Sequence, residues 1–169
     1  PLCEGVLIPT ESRLTACVSS QIGCSLSCRF CATGYIERKR NLDFDEIYDE
    51  VVLINRECEK QYGKKLTNIV FMGMGEPLLN YRNVNAAIAR ITAPDGLAMS
   101  PRRITVSTGG VAKQIKQLGD DGVKYKLALS LHPPTDEKRN KIMPINETNN
   151  LKALVDALNH FYRKTKNEI

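Results

Sequence analysis

The sequence predicts an α/β fold built on a parallel sheet, a partial (βα) barrel of about four parallel strands with flanking helices. Three observations predict it. Apolar runs of strand length alternate with segments of helical period, each apolar run ends in small polar residues, and 169 residues with 42% hydrophobic content suffice for one real core. The first run, RLTACVSSQ (13–21), has strand composition and leads into a cysteine-rich loop. DFDEIYDEVVLINRECEKQYG (43–63) is helical, with Ile47, Val51, Ile54 and Cys58 on one stripe and Gly63 as its stop. LTNIVFMGMG (66–75) is an apolar run of the kind that fills a buried parallel strand. Residues 80–92 resume helical spacing, 102–110 form a strand ending in glycines, and 111–122 a short helix. A fourth strand over 124–134 precedes a helical DEKRNKIM and a longer helix over 150–165.

Four strands each followed by helix imply right-handed crossovers in a sheet that is either barrel-like or doubly wound. The alternation calls for another strand after residue 169, and four strands cannot close an eight-stranded barrel. The expectation is therefore a single incomplete unit, residues 1–169 without a second domain, forming part of a longer protein.

Composition bounds the function classes. No apolar run approaches the roughly 18 residues of a membrane span, and PLCEGVLIP lacks the features of a secretion signal, so a soluble, cytoplasmic protein is expected. Its six cysteines, half of them in one knot, read as reduced metal ligands rather than three disulfides. The net charge of +5 is permissive of nucleic acid. Its local runs, Arg38–Arg40, Lys60 with Lys64 and Lys65, and Lys138, Arg139 and Lys141, read individually as solvated faces.

The strand ends hold the chemistry. Cys24, Cys28 and Cys31 follow the first strand, Gly73, Gly75 and Glu76 the second, Ser107, Thr108 and Gly109 the third, and Ser130 and His132 the fourth. Sites of parallel β/α folds lie at the carboxyl ends of the strands, so these sets converge on one cleft. A structural zinc site closes with four ligands, and CxxxCxxC offers three without a second pair. His132 or Cys58 would complete a zinc site, although Cys58 falls on an apolar helical stripe. Three thiolates fit better to a four-iron, four-sulfur (4Fe-4S) cluster that leaves one iron open to a substrate or cofactor. The glycines at 73 and 75 also fit a plain strand-to-helix turn, His132 a satisfied strand-end histidine, Cys17 a small core residue and Glu4 a solvated surface carboxylate.

CSLSCRFC, with Phe30 just before the third cysteine, resembles the radical S-adenosylmethionine signature, and GMGEP its glycine-rich motif. More narrowly, ACVSSQIGCSLSCRFCATG, FMGMGEPLLN, ITVSTGG, LALSLHPP and IMPIN together resemble the RlmN/Cfr family of RNA adenine methyltransferases. The resemblance runs over essentially the whole chain. It implies a partial radical SAM barrel whose 4Fe-4S cluster is held by Cys24, Cys28 and Cys31, with the open iron chelating S-adenosylmethionine. It implies cofactor contacts at Gly75, Glu76, Ser107, Ser130, Leu131 and His132. Cys17 is implied as a resolving thiol that forms a disulfide with a methyl-carrying cysteine, and Glu4 as the acceptor of the adenine ring proton; Cys3 has no assigned role.

The same resemblance implies methylation at adenine C2 of 23S rRNA and tRNA, or at C8 in the antibiotic-resistance subgroup, and an electron donor such as flavodoxin. No cysteine follows Cys58, so the carrier is missing from these residues, and the chain alone is expected not to methylate RNA. Two readings of other classes remain: a non-catalytic metal-binding RNA or assembly module, and a radical enzyme for another substrate, such as a glycyl radical activator.

Overall fold

The computed structural model describes residues 3–169. β1 (Val6–Pro9) pairs antiparallel with β2 (Leu14–Cys17), Val6 opposite Cys17, across a turn in which the Thr10 hydroxyl accepts from the Arg13 amide at 3.0 Å. The sequence reading passed over β1 because an edge strand held by its ladder, with three of four residues exposed, leaves no hydrophobic alternation to see. β3 (Gln21–Ile22) and β4 (Arg40–Asn41) form a separate antiparallel ribbon that closes the base of the cysteine loop.

α1 (Phe44–Tyr62) begins at Asp43, whose amide donates to the Glu46 carboxylate at 2.9 Å, and ends at Gly63 with φ 63°. Of the expected stripe, Ile47, Val51 and Cys58 are buried and Ile54 is partly buried against the same core. β5 (Asn68–Phe71), α2 (Tyr81–Thr92), β6 (Ile104–Thr108), α3 (Ala112–Asp120), β7 (Lys126–Leu129), α4 (Asp136–Ile142) and α5 (Leu151–Thr165) follow in the expected alternation.

The main sheet runs β1-β2-β5-β6-β7, with β2, β5, β6 and β7 parallel. Each parallel strand lies beside the one before it in the chain, so the winding never reverses; this is the order of a barrel arc, whereas a doubly wound sheet reverses at its switch point. On β6 the buried residues Ile104, Val106 and Thr108 alternate with half-exposed Thr105 and Ser107, so one sheet face packs on helices and the other stays open. The core gathers Ile69, Phe71, Ile104, Val106, Ile115, Leu118 and Phe161 with the stripes of α1 and α2. All four parallel strands are shorter than their apolar runs. The run read as a strand to residue 21 leaves the β2 ladder after Cys17, because Ser19, Ser20 and Gln21 are buried as partners of another loop.

Candidate active site

The loop after β5 is fastened to the segment after β2 by buried polar groups. The Ser20 amide donates to the Met74 carbonyl at 2.9 Å, the Met74 amide to the Ser19 hydroxyl at 2.9 Å, and the Glu76 amide to the Gln21 side chain at 2.9 Å. Asn80 donates to the carbonyls of Ser20 and Leu42 at 2.8 and 2.7 Å. Buried polar atoms need such partners, and here the pairing fixes how GMGEP faces the cysteine loop. Gly75 lies at φ 94°, and a methyl group there would come within 2.4 Å of Gln21 Cβ, so both the turn and the close approach require glycine.

Glu76 is 3% exposed. One carboxylate oxygen accepts from the Leu78 amide at 3.0 Å, the other from the Gly109 amide at 2.7 Å, which ties the end of β5 to the end of β6. Burial pushes its pKa up, and the Gly109 and Leu78 amides and the Thr108 hydroxyl offset part of that. With three of its four acceptor sites taken, the carboxylate keeps one lone pair for a cationic donor.

A cavity of about 290 Å3 opens at the carboxyl ends of β5, β6 and β7. Its lining includes Cys24, Cys28, Cys31, Gly75, Glu76, Ser107 and Ser130, so seven predicted site residues from four loops meet there. The other four predicted residues lie off its wall. His132 stands at the rim, its ring edge-on to Phe30 at 5.2 Å between centroids, and Leu131 is 50% exposed beside it. Cys17 is half-buried on β2, where burial raises its thiol pKa and the Met72 backbone amide partly offsets this. Glu4 is exposed, its carbonyl accepting from the Ser19 hydroxyl at 2.7 Å. The β1–β2 register, absent from the sequence reading, brings Glu4 to the same edge as Cys17.

None of the three loop thiols is in a disulfide, and all three line the cavity. Burial raises the Cys24 pKa and pushes Cys28 up to about 11, with the neighbouring thiols and Glu76 adding to the shift. A bound cationic centre inverts this preference and deprotonates coordinating thiols outright. Among the described residues no group of three or more His, Cys, Asp or Glu side chains is gathered tightly enough to grip one ion. Three thiols on a cavity shared with Glu76, Ser107 and Ser130 suit a cluster that distributes its ligands over several irons and leaves one iron open. The donor set therefore fits the 4Fe-4S cluster. Cys58, the other cysteine weighed as a fourth ligand, is fully buried on α1 and donates to the Lys64 carbonyl at 3.1 Å.

A second cavity, of about 430 Å3, lies at the opposite ends of the strands and is lined by Arg13, Arg102, Arg103, Lys124, Lys126 and Lys166. It contains no thiol and none of the predicted site residues. The sequence reading also missed Ser19, Gln21, Asn80 and Arg139, all buried; the signal available was a polar SSQ immediately after an apolar strand, where burial obliges pairing.

The sequence profile of the Radical SAM superfamily matches residues 18–169. A protein of Cytophaga hutchinsonii named "Probable dual-specificity RNA methyltransferase RlmN" is 60% identical over 168 residues, covering 99% of this chain and 46% of its own length. A protein of the same name from Flavobacterium psychrophilum is 58% identical, over 99% of this chain and 48% of its own. The chain thus spans about half the length of the curated relatives it matches. The solved structure of a radical SAM methyltransferase from Sphaerobacter thermophilus superposes with a TM-score of 0.92 at 38% identity, over 96% of this chain and 47% of that one.

Proposed function

The chain belongs to the radical SAM superfamily, and from that premise we propose that it is the catalytic core of an RNA methyltransferase that modifies C2 of an adenine in 23S rRNA and in tRNA. The observation that carries the proposal is the meeting of Cys24, Cys28, Cys31, Gly75, Glu76, Ser107 and Ser130 on one cavity at the ends of consecutive parallel strands. The names of the relatives, dual-specificity RNA methyltransferases, support RNA as the substrate and two kinds of it. Proteins of the superfamily use a 4Fe-4S cluster, which when bound supplies the electron for reductive cleavage of S-adenosylmethionine.

The residues of this chain bind, orient and shield. Cys24, Cys28 and Cys31 hold the cluster. Gly75 offers a backbone carbonyl, and Glu76 its remaining lone pair, to the ammonium group of the cofactor's methionine. Ser107 and Ser130 orient the nucleoside half from the ends of β6 and β7, with Leu131 and His132 closing the rim. In this reading Cys17 resolves a covalent adduct on a second thiol by forming a disulfide with it, and Glu4 accepts the ring proton. A small electron donor such as flavodoxin and a cytoplasmic setting complete the reading; among the described residues no helix is long and apolar enough to cross a membrane.

Anaerobic reconstitution followed by iron, sulfide and 5′-deoxyadenosine assays tests it. About four irons per chain with 5′-deoxyadenosine formed on reduction is the expected result, each of Cys24→Ala, Cys28→Ala and Cys31→Ala losing most of the iron. Zinc in the loop with no cofactor cleavage favours the metal-binding module instead. Cleavage without methyladenosine from the whole protein and RNA favours another radical substrate, and mass spectrometry of the digested RNA distinguishes C2 from C8.

A further inference from the structure

Arg139, which the charge pattern places in a solvated basic run, is the bulkiest of the fully buried side chains among the described residues. Its Nη1 shares its two hydrogens among three consecutive carbonyls, those of Ser130 at 2.8 Å, Leu131 at 2.5 Å and His132 at 3.0 Å, and its Nη2 donates to the Gly109 carbonyl at 2.7 Å. Nε has no partner, and among the described residues Arg139 makes no ion pair. Three successive carbonyls aimed at one point repel one another as dipoles, so that turn needs a cation at its focus. The guanidinium stays charged even when buried and offers the fork of donors that the turn requires.

The same helix also grips the cysteine loop. The Arg29 amide donates to the Ile142 carbonyl at 2.9 Å, and Met143, itself hydrogen-bonded to the Arg139 carbonyl at 2.7 Å, packs against Leu26 and Cys28. One side chain on α4 therefore links the ends of β6 and β7, while the end of the helix seats the loop that carries the thiols.

We propose that Arg139 is a positioning residue for the cofactor site: it sets the Ser130–His132 and Gly109 turns on the pocket. That these turns face a cofactor rests on the reading above. Arg139 touches no reacting atom; it acts through the backbone it holds.

Arg139→Gln and Arg139→Lys, made in the whole protein, test this, since lysine keeps the charge and loses the fork. Before any cluster is loaded, hydrogen exchange should quicken in Arg139→Gln at residues 109–110 and 130–132 and stay unchanged in α1 and α2. After reconstitution, both variants should hold parent-like iron but bind S-adenosylmethionine about tenfold or more weakly by equilibrium dialysis, the scale of one charge-assisted hydrogen bond. Parent-like exchange and affinity in a folded Arg139→Gln overturn the proposal. If that variant does not fold, parent-like affinity in Arg139→Lys overturns it, and collapse of both overturns it by making Arg139 a strut of the whole domain. Failure of the parent protein to take up iron strikes the cluster reading instead and leaves the exchange comparison to decide the turns.

Discussion

Glu50, on α1, accepts the Ser19 amide through both carboxylate oxygens at 3.2 Å, and a methyl group on Gly5 would lie 2.7 Å from one of them. Burial pushes its pKa up from 4.5 to about 7, the Ser19 amide offsetting part of the shift. Between those values the folded chain keeps a proton that the unfolded chain has released, so stability present below about pH 4.5 is lost as pH rises through about 7. Glu50→Gln keeps an acceptor for Ser19 and removes the charge. The expected outcome is a flatter stability profile from pH 5 to 8, with a gain of about 1–2 kcal/mol at pH 8 by urea denaturation. An unchanged slope in the variant would place the titrating group elsewhere. Nothing in the periodicity of α1 marks Glu50, whose burial comes from β1 and the Ser19 turn folding over it.

At the scale of elements, the contact between α3 and α5 depends on Gly119. A Cβ there would stand 3.0 Å from Phe161 Cα and 3.1 Å from His160 Cδ2, so two helices meet almost backbone to backbone. Gly119→Val forces them apart, because the nearest neighbour is the Phe161 backbone, which cannot rotate away as the His160 ring can. A loss of about 1–3 kcal/mol is expected from the denaturation midpoint, the range for overpacking a close interface. A parent-like midpoint would show that the helices slide to accommodate it. Both helices were legible from the sequence, since Ile115 and Leu118 on α3 and Leu154, Ala157 and Phe161 on α5 repeat at helical spacing. Their mutual approach was not, because a glycine in a helix reads as a weak position until a neighbour is seen to fill its missing side chain.

Across the whole molecule, chemistry and basic charge separate to opposite ends of the strands, thiols and serines at the carboxyl ends and six arginines and lysines around the cavity at the amino ends. No cysteine follows Cys58 within the 169 residues, which span about half of each relative. Reconstituted alone, the chain should therefore consume S-adenosylmethionine on reduction yet form no methyladenosine in RNA, and methyladenosine in the digest would refute the need for a further thiol. The sequence by itself determined the α/β alternation, the thiol triad and the small polar strand ends, because periodicity and ligand spacing are local along the chain. Tertiary structure alone decided the barrel-like strand order, the β1–β2 pairing that sets Glu4 near Cys17, and the burial of Glu50, Glu76 and Arg139. Those outcomes depend on which distant backbone groups a side chain meets, and the same arginine in the same run of charges reads as solvated until four carbonyls from two other strand ends close around it.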